Sequence, residues 1–410
     1  MRNQARTTVE SAGRPKRVLI LVQNLSVPFD RRVWQEARSL QRNGYRVSVI
    51  CPRAEGESAR EELEGVRIRR YSPLIEGNNG LGYALEYSIA MFWFFVLSLR
   101  EAIRPGFDVI QACNPPDLLF LVAAFHKILF GKRFVFDHHD ICPELYEAKF
   151  GRRGIGHKAL LLLERATFKA ADVSIATNES YRRTAIERGG VAPDQVVVVR
   201  SGPDLERMRR VQDDHTLRNG KKYLVGYVGV IGRQEGVEYL LDAALDIKER
   251  HGDDYCLFRL VGSGPDIGRL RKLSLEKGLE ETVIFMGRCT DEVLLRVLST
   301  SDVCVNPDEY NEMNDKSTMN KVMEYMALAQ PVVQFDLTEG RVSAGDASLY
   351  ADNNNAEDLA DKINHLLERA DLRKTMGESG QRRIMESLSW AHQEGELLRA
   401  YEALWGGARG

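Results

Sequence analysis

The chain has 410 residues, of which 43% are hydrophobic and 28% charged, with a formal net charge of −2. This length suits two α/β domains, and this composition excludes long disordered segments. Residues 1–220 carry 34 Lys and Arg against 26 Asp and Glu, whereas the remainder carries 23 against 33. The asymmetry fits an anionic acceptor or an acidic membrane surface, and it fits an electrostatic match between two domains equally well.

Apolar runs alternate with helical stretches along the chain. After residues 1–16, which we expect to be a mobile tail, seven runs from "RVLILV" to "VVVVR" predict a parallel, doubly wound sheet. The polar segment Ser201–Lys222 predicts a linker, and six runs from "YLVGYVG" to "ASLYA" predict a second sheet. The segment Ser389–Trp405 predicts a final amphipathic helix. Ligands of such sheets bind at the carboxyl ends of the strands, so we expect a substrate cleft between the two sheets.

The most apolar segment is Tyr87–Leu99, which is shorter than the roughly 20 residues that a membrane-spanning helix needs. It predicts either a helix that covers the sheet or a helix with one face inserted into a membrane surface. The aromatic residues Phe92, Trp93 and Phe94 are compatible with the second alternative. The first apolar run leads straight into a polar loop, so we expect no signal peptide. Six scattered cysteines without a C-x-x-C pair are typical of reduced thiols in a cytoplasmic protein.

Two loops of the first half carry candidate functional residues. Asp30 is expected to cap a helix whose first turn places Arg31 and Arg32 toward the cleft. Cations there oppose the helix dipole and suggest an anionic partner, with solvated arginines as the alternative. His138 and His139 end a strand, where adjacent side chains point to opposite faces, so we expect only one to line the cleft. A metal site, an acid/base pair and strand-end capping all fit this cluster, although H-x-x-x-H spacing is absent.

Two glycine-containing loops follow strands of the second half. The loop Gly229–Leu241 holds Gly232 and Arg233, whose planar guanidinium suits phosphate oxygens; a solvent-exposed arginine is the alternative. The segment "GSGPDIGRL", which contains Gly262 and Gly264, has the third glycine of a dinucleotide fingerprint one residue late. This disfavours NAD binding and leaves a turn where backbone approaches a ligand.

The stretch "NDKSTMNKVMEYMALAQPVV", Asn314–Val333, predicts a polar loop, a helix and a strand. Ser317 and Thr318 are suited to cap this helix, so its free N–H groups are expected to open toward an anionic ligand. The alternative is a capped amphipathic helix with a solvated Glu324. D-x-D, G-x-S-x-G and Walker A patterns are absent, which disfavours a D-x-D metal clamp, an esterase and a P-loop ATPase.

With these residues identified, the chain resembles the large retaining GT-B glycosyltransferases of the family 4 type, which include bacterial enzymes of cell-surface polysaccharide assembly. The resemblance rests on "PFDRRVWQEARSLQRNGYRVSVICP", "VGSGP", "VIFMGR" and "NDKSTMNKVMEYMALAQPVVQFD" and extends from about Arg17 to Leu404. It implies an α/β GT-B fold, in which two Rossmann-like, doubly wound parallel-sheet domains face a central cleft. The expected segments are a tail (1–16), an acceptor domain (17–205), a nucleotide-sugar donor domain (206–385) and a C-terminal helix packing back toward the first domain (386–410).

The resemblance also implies residue roles. Glu324 matches the second Glu of the family's E-x7-E motif and would hold the ribose hydroxyls, while His139 matches a strand-end histidine near the reacting sugar. Expected catalytic residues are His139, Arg233 and Lys321, and expected acceptor-binding residues are Asp30, Arg31 and Arg32. Expected donor-binding residues are Gly232, Gly262, Gly264, Gly287, Arg288, Lys316, Ser317, Thr318, Met319, Asn320 and Glu324.

The chain departs from the family pattern at two places. Lys316 stands where the first Glu of the motif is usual, so we expect its ammonium to face the sugar diphosphate or an acetamido or carboxylate oxygen of the sugar. The alternative is a solvent-facing lysine whose neighbour Asp315 takes the carboxylate role. Val230 and Glu235 replace the usual Arg and Lys of the diphosphate loop, leaving Arg233 as the nearby cation.

The predicted activity is retaining transfer of a hexose or N-acetylhexosamine from a nucleoside-diphosphate sugar to a hydroxyl, in polysaccharide or glycolipid biosynthesis. No metal or cofactor is expected beyond the nucleotide-sugar co-substrate, and no nucleic acid partner. The expected acceptor is lipid-linked or an oligosaccharide, and the expected location is cytoplasmic with peripheral membrane contact as an option. A nucleotide-sugar epimerase and a non-catalytic nucleotide-sugar-binding protein are the alternatives.

Overall fold

The computed structural model describes residues 14–73 and 80–406, so most of the expected N-terminal tail lies outside the described residues. The first domain contains an eight-stranded sheet in the order β3-β4-β2-β1-β5-β6-β7-β8. Its strands are β1 (Arg17–Val22), β2 (Arg46–Pro52), β3 (Arg60–Leu63), β4 (Val66–Tyr71), β5 (Val109–Cys113), β6 (Arg133–His138), β7 (Val173–Ala176) and β8 (Val196–Val198).

The second domain contains a six-stranded parallel sheet in the order β11-β10-β9-β12-β13-β14. Its strands are β9 (Tyr223–Val228), β10 (Cys256–Val261), β11 (Val283–Gly287), β12 (Val303–Asn306), β13 (Val332–Phe335) and β14 (Ser348–Ala351). The prediction of two parallel-sheet α/β domains is confirmed. Strand β3 was not predicted, and it pairs antiparallel with β4 at the sheet edge, where its sequence "REEL" is mostly exposed.

Helices cover both sheets. In the first domain they are α1 (Arg31–Arg42), α2 (Gly80–Ile103), α3 (Phe120–Phe130), α4 (Cys142–Phe150), α5 (Ile155–Ala170) and α6 (Glu179–Glu187). In the remainder they are α7 (Val237–His251), α8 (Ile267–Glu276), α9 (Asp291–Thr300), α10 (Glu312–Lys316), α11 (Asn320–Ala327), α12 (Thr338–Ala344), α13 (Ala356–Glu368), α14 (Ala370–Arg383) and α15 (Trp390–Gly406).

The first sheet has a core on each face. One core joins the sheet to α1 and to the C-terminal helix α15, which therefore returns to the first domain. The indole Nε1 of Trp390 donates to Ser39 Oγ at 2.9 Å, and Tyr401 is fully buried. The other core joins the sheet to α2, α3, α5 and α6.

Helix α2 contains the apolar segment Tyr87–Leu99. Its Phe94 is buried against the sheet, whereas Phe92 is exposed on the outer side. Across the described part of the chain, every helix is too short or too polar to cross a bilayer.

Candidate active site

The carboxyl ends of strands from both sheets open into one cleft. From the first domain, Asp30 lies in the loop after β1 and His139 directly follows β6. From the second domain, the loop that starts at Gly229 follows β9, and Asp308 follows β12. Arg31 spans the cleft, since its Nη2 lies 3.0 Å from Asp291 Oδ1 on α9. This edge-to-edge arrangement places the candidate residues of both domains within reach of a single ligand.

His139 belongs to a buried ionic network on the first-domain side. Its Nε2 lies 2.7 Å from Asp137 Oδ2 and 3.0 Å from Arg32 Nε, and its backbone N–H donates to Asn114 Oδ1 at 2.7 Å. Burial acts to lower the pKa of His139, but the Asp137 carboxylate outweighs burial and raises it. The imidazole is therefore oriented and biased toward the protonated form by Asp137.

The neighbouring His138 points to the opposite face, as the strand geometry predicts. Its ring lies among the rings of Phe136, Phe168 and Tyr181, and both ring nitrogens are buried without a hydrogen-bond partner in the described residues. Burial, helped by the nearby Arg188 guanidinium, lowers the pKa of His138 to about 3. Of the two histidines, only His139 faces the cleft.

Arg32 does not face the cleft, and that part of the sequence interpretation is wrong. Its side chain is only 8% exposed because it turns inward to Asp137 Oδ1 at 2.9 Å and Glu36 Oε1 at 3.1 Å. The buried carboxyl groups of Asp137 in β6 and Glu36 on α1 hold the guanidinium inside the protein. The role of Arg32 is thus to hold Asp137, and the acceptor contact predicted for it has no geometric basis.

The same network contains a cluster that could ligate a metal, formed by Cys113, Asp137 and His139. The guanidinium of Arg32 already contacts two of these three residues. A second cation there would be repelled at close range. Burial also raises the pKa of the Cys113 thiol well above its usual range. The residues therefore do not suit a metal ion.

The network extends from Asp137 to the C-terminal helix. Gln111 Nε2 donates to Asp137 Oδ2 at 3.0 Å and to Glu36 Oε2 at 2.7 Å, and the Tyr401 hydroxyl on α15 donates to Gln111 Oε1. Burial and the neighbouring Asp137 carboxylate raise the pKa of Glu36 to about 8. Residues 111 and 401, which lie far apart in sequence, thereby support the cleft histidine.

Two further first-domain residues frame the cleft. Asp30 Oδ1 accepts from the Val33 backbone N–H at 3.1 Å, which confirms it as the cap of α1. Burial raises the pKa of Asp30. Next to it, the exposed ring of Phe29 lies 5.2 Å from the guanidinium carbon of Arg288, which follows β11 of the second domain. This cation–π contact places Arg288 at the cleft, and its predicted contact with the donor stays a prediction.

The glycines of the second domain permit two loops to touch. Gly262, whose φ is +140°, leaves no room for a Cβ beside the carbonyl of Gly229, and Gly264 leaves none beside Ile231. The Ile231 N–H donates to the Ser263 carbonyl at 3.2 Å, which fixes the two loops together. The predicted close backbone approach is therefore present, but its partner is another loop rather than a ligand. Donor contacts by these glycines stay a prediction.

The charged side chains in and near the loop after β9 differ in how deeply they are buried. Gly232 is buried beside the side chain of Glu235, and Arg233 is exposed. Near this loop, Lys321 Nζ contacts Asp308 Oδ1 at 2.8 Å and lies 5.1 Å from the ring of Tyr227. Burial raises the pKa of Glu235, while the Lys321 ammonium opposes that shift. Lys321 is thus a positioned, largely buried cation, whereas Arg233 is an exposed one in the loop after β9.

Glu324 lies in the cleft within a four-membered ionic cluster. Its Oε1 is 3.1 Å from Arg207 Nη1 and 3.8 Å from Arg31 Nη1. Arg207 also contacts Asp291 Oδ2 at 2.7 Å, which links both arginines to both acids. Burial raises the pKa of Glu324, and the Arg207 charge opposes this. The carboxylate is 21% exposed, so it is held by arginines yet open to a ligand.

Helix α11 begins one residue later than the sequence predicts. Its N-cap is Met319, which makes no side-chain capping bond, and Asn320 is its exposed first residue. Ser317 and Thr318 are not caps because they contact the first domain. The Ser317 hydroxyl lies 3.0 Å from the Tyr181 hydroxyl, and Asn178 Nδ2 donates to Thr318 Oγ1 at 3.0 Å. The N-terminus of α11 is consequently free of side-chain caps.

Lys316 joins the two domains. Its Nζ lies 2.8 Å from Glu312 Oε1 and 3.3 Å from Glu144 Oε1 of α4. Asp315 accepts from the Thr338 N–H at 2.8 Å and caps α12, so it is turned away from Lys316. Gly287, with φ +73°, has open space at its Cα. Contact of Lys316 or Gly287 with a donor stays a prediction.

Sequence reasoning missed Arg207, Asp291 and Asp308. Arg207 lies in the segment interpreted only as a linker, and no local pattern marks it. Asp291 opens α9 directly after its cap Thr290. The sequence "NPDEY" after β12 carried the signal for Asp308, since a polar residue directly after a buried strand lies at the ligand edge of the sheet.

Comparisons with known proteins agree with this architecture. The sucrose-phosphate synthase from Thermosynechococcus elongatus superposes with a TM-score of 0.81 at 20% identity, covering 96% of this chain and 100% of that chain. The Anabaena protein Alr3699/HepE in complex with UDP-glucose superposes with a TM-score of 0.69 at 16% identity, covering 94% and 99%. At such identities the likeness establishes the fold, which is GT-B.

Sequence comparisons extend this to the family. The family model described as "Glycosyltransferase Family 4" matches residues 30–207, and the model described as "Glycosyl transferases group 1" matches residues 222–369. The alpha-D-kanosaminyltransferase of Streptomyces kanamyceticus is 28% identical over 38% of this chain and 39% of its own length. The alpha-maltose-1-phosphate synthase of Mycolicibacterium smegmatis is 27% identical over 67% and 74%. The chain spans less than two thirds of the first relatives it matches. The chain belongs to the glycosyltransferases of the group 1 and family 4 type.

Proposed function

We propose that this glycosyltransferase moves a hexose or N-acetylhexosamine from a nucleoside-diphosphate sugar to a hydroxyl group, with retention of anomeric configuration and without a metal ion. The observation that carries the proposal is the position of Glu324. Its carboxylate is held in the cleft by Arg207 at 3.1 Å and by Arg31 of the opposite domain at 3.8 Å. Two ribose hydroxyls can donate to such a carboxylate while the arginines remain beside it.

The cations of the cleft supply what a metal would supply to the leaving diphosphate. Lys321 lies at the N-terminal turn of α11, whose first N–H groups carry no side-chain cap. A helix N-terminus and a fixed ammonium together stabilise a developing negative charge. Arg233 is an exposed cation within the loop after β9 and completes this set. The structure of Alr3699/HepE in complex with UDP-glucose makes a UDP-sugar the first donor to test.

On the first-domain side, His139 faces the reacting sugar. Its pKa is raised by Asp137, so it donates a hydrogen bond to a sugar or acceptor oxygen rather than acting as a nucleophile. Asp30 and Arg31 form the acceptor side. We place the reaction in the cytoplasm, in polysaccharide or glycolipid biosynthesis, with a lipid-linked or oligosaccharide acceptor and a peripheral membrane contact.

The test is incubation of the purified protein with UDP-, GDP- and ADP-sugars and simple hydroxyl acceptors, with proton NMR of the product. We expect transfer or slow donor hydrolysis with one nucleotide class, retained anomeric configuration and full activity in excess EDTA. An inverted product would contradict retention. Activity lost in EDTA and restored by manganese or magnesium would contradict the metal-free mechanism. Donor conversion to an epimer without transfer would contradict the proposed reaction itself.

A further inference from the structure

Three helices of the first domain expose apolar side chains on their outer sides. They include Phe92 on α2, Ile128 on α3 and Ile155 on α5, which are 61%, 80% and 89% exposed. Each has an exposed apolar partner seven residues away, namely Leu99, Leu121 and Leu162. Residues seven apart lie on the same side of a helix, so each helix carries an apolar stripe that faces away from the sheet.

These three stripes are neighbours. Helices α2 and α3 pack against each other, as do α3 and α5, and all three cover one face of the first sheet. The rings of Phe95 on α2 and Phe125 on α3 are 5.7 Å apart, which fixes the first contact. We call the outer sides of α2, α3 and α5 the outer helix layer. Of 17 exposed large hydrophobic side chains in the described residues, 10 lie on α2, α3 or α5, which makes this layer the main apolar surface of the described chain.

The charges of the same region have one sign. Between residues 85 and 170, every exposed charged side chain is cationic, whereas each acidic side chain is buried or half-buried. On α2, directly after it, and on α5, the exposed cations are Arg100, Arg104, Lys158, Arg165 and Lys169. Glu164, for example, is buried and pairs with Arg188 at 2.7 Å. The outer helix layer is therefore apolar and cationic together.

We propose that the outer helix layer docks on a membrane surface that contains anionic phospholipids. The apolar side chains insert at the boundary between headgroups and acyl chains, and the surrounding Lys and Arg contact the phosphates. A second copy of this chain is the poorer occupant, because a symmetric contact would set like charges against each other. This surface deepens the peripheral contact proposed above, but it rests on exposure and charge and not on the transferase reaction.

Helix α2 also connects the proposed membrane-docking surface with the cleft. This connection, unlike the docking itself, rests on the proposed function. Residues Glu86, Ile89 and Ala90 of α2 line a cavity of about 420 Å³ together with Phe29 and Tyr71. The Tyr71 hydroxyl is buried there without a hydrogen-bond partner in the described part of the chain. One helix therefore borders both the membrane surface and the acceptor side of the cleft, which suits an acceptor that stays in the bilayer.

The test is co-sedimentation of the full chain with vesicles of phosphatidylglycerol and phosphatidylcholine, compared with phosphatidylcholine alone. We expect binding to the anionic vesicles that weakens with added salt. The double variant Ile128→Ser/Leu129→Ser should bind at least about tenfold more weakly, because two inserted side chains are lost. The matched control is Leu275→Ser/Met385→Ser, which removes exposed apolar side chains of the second domain and should bind like the wild type.

A second variant tests the charges. Lys158→Glu/Arg165→Glu should also reduce binding to anionic vesicles by about tenfold or more. Donor hydrolysis in solution should be unchanged in all these variants, so a failure of the proposed reaction would leave the vesicle result standing. Equal binding of the wild type and the Ile128→Ser/Leu129→Ser variant would overturn the proposal, as would wild-type binding no tighter to anionic than to neutral vesicles. A wild-type dimer that the apolar variant converts to a monomer, without vesicle binding, would assign the layer to self-association instead.

Discussion

Asp137 connects the ionic chemistry of the first domain to its cleft. It is fully buried and contacts Arg32, Gln111 and His139. The Arg32 guanidinium and His139 lower the pKa of this carboxyl group against the effect of burial. The sequence showed a histidine at a strand end, but it could not show that the strand residue two positions earlier holds it, since that contact depends on the arginine turning inward.

Replacing Asp137 with Asn should destabilise the protein by about 3–5 kcal/mol, because a buried ion pair loses one partner. Chemical denaturation at pH 7 measures this change. The control is Asp336→Asn, which removes one half of a half-exposed pair with Arg341. We expect that change to cost about 0–1 kcal/mol. Similar losses in the two variants would show that the Asp137 network is not the buried ionic centre described here.

His138 predicts a pH effect on stability. Its folded pKa is about 3, below the unfolded value near 6.5, so the unfolded chain binds more protons between these pH values. Its contribution is complete above pH 6.5 and is lost as the pH falls toward 3. Between pH 7 and pH 5 the wild type should lose about 2 kcal/mol more unfolding free energy than His138→Leu, which cannot titrate. Parallel pH profiles for the two proteins would contradict the buried, neutral state of His138.

The elements show what sequence patterns can specify. The buried strands were predicted because runs of β-branched residues between helices indicate parallel sheets. Strand β3 was missed because its "REEL" sequence is charged and stabilised only by pairing with β4. The start of α11 was predicted one residue early, since Ser317 and Thr318 bind the first domain instead of capping. Contacts between distant elements override local preferences in both cases.

The contact between the loops that contain Gly262 and Gly229 can be tested by substitution. Gly262→Ala should destabilise the second domain by about 1–3 kcal/mol or more, because a Cβ at φ +140° meets the Gly229 carbonyl. Thermal and denaturant unfolding measure the loss. Gly268→Ala is the control, since a Cβ in α8 meets open space and helix propensity improves by up to about 1 kcal/mol. A neutral Gly262→Ala would mean that the two loops do not touch as described.

For the whole molecule, the opposite charges of the two halves appear as ion pairs across the cleft. Arg31 meets Asp291 and Glu324, and Arg153 meets Glu312 at 2.7 Å. The composition predicted this match only as one of three readings. The outer helix layer shows that an excess of exposed cations also remains on the far side of the first domain. Net charge alone could not predict how the cations are distributed between these two surfaces, because it does not distinguish buried acids from exposed ones.

The central claim is that Glu324 holds the ribose of a nucleotide sugar in this cleft. The most direct measurement is calorimetric titration of UDP, GDP and ADP into the wild type and into folded Glu324→Ala. We predict that the nucleotide that binds the wild type binds the variant about 1.5–3 kcal/mol more weakly, the usual scale for hydrogen bonds to a charged group. Unchanged affinity of that nucleotide for Glu324→Ala would contradict the account, and it would leave Glu324 as a partner of Arg207 and Arg31 alone.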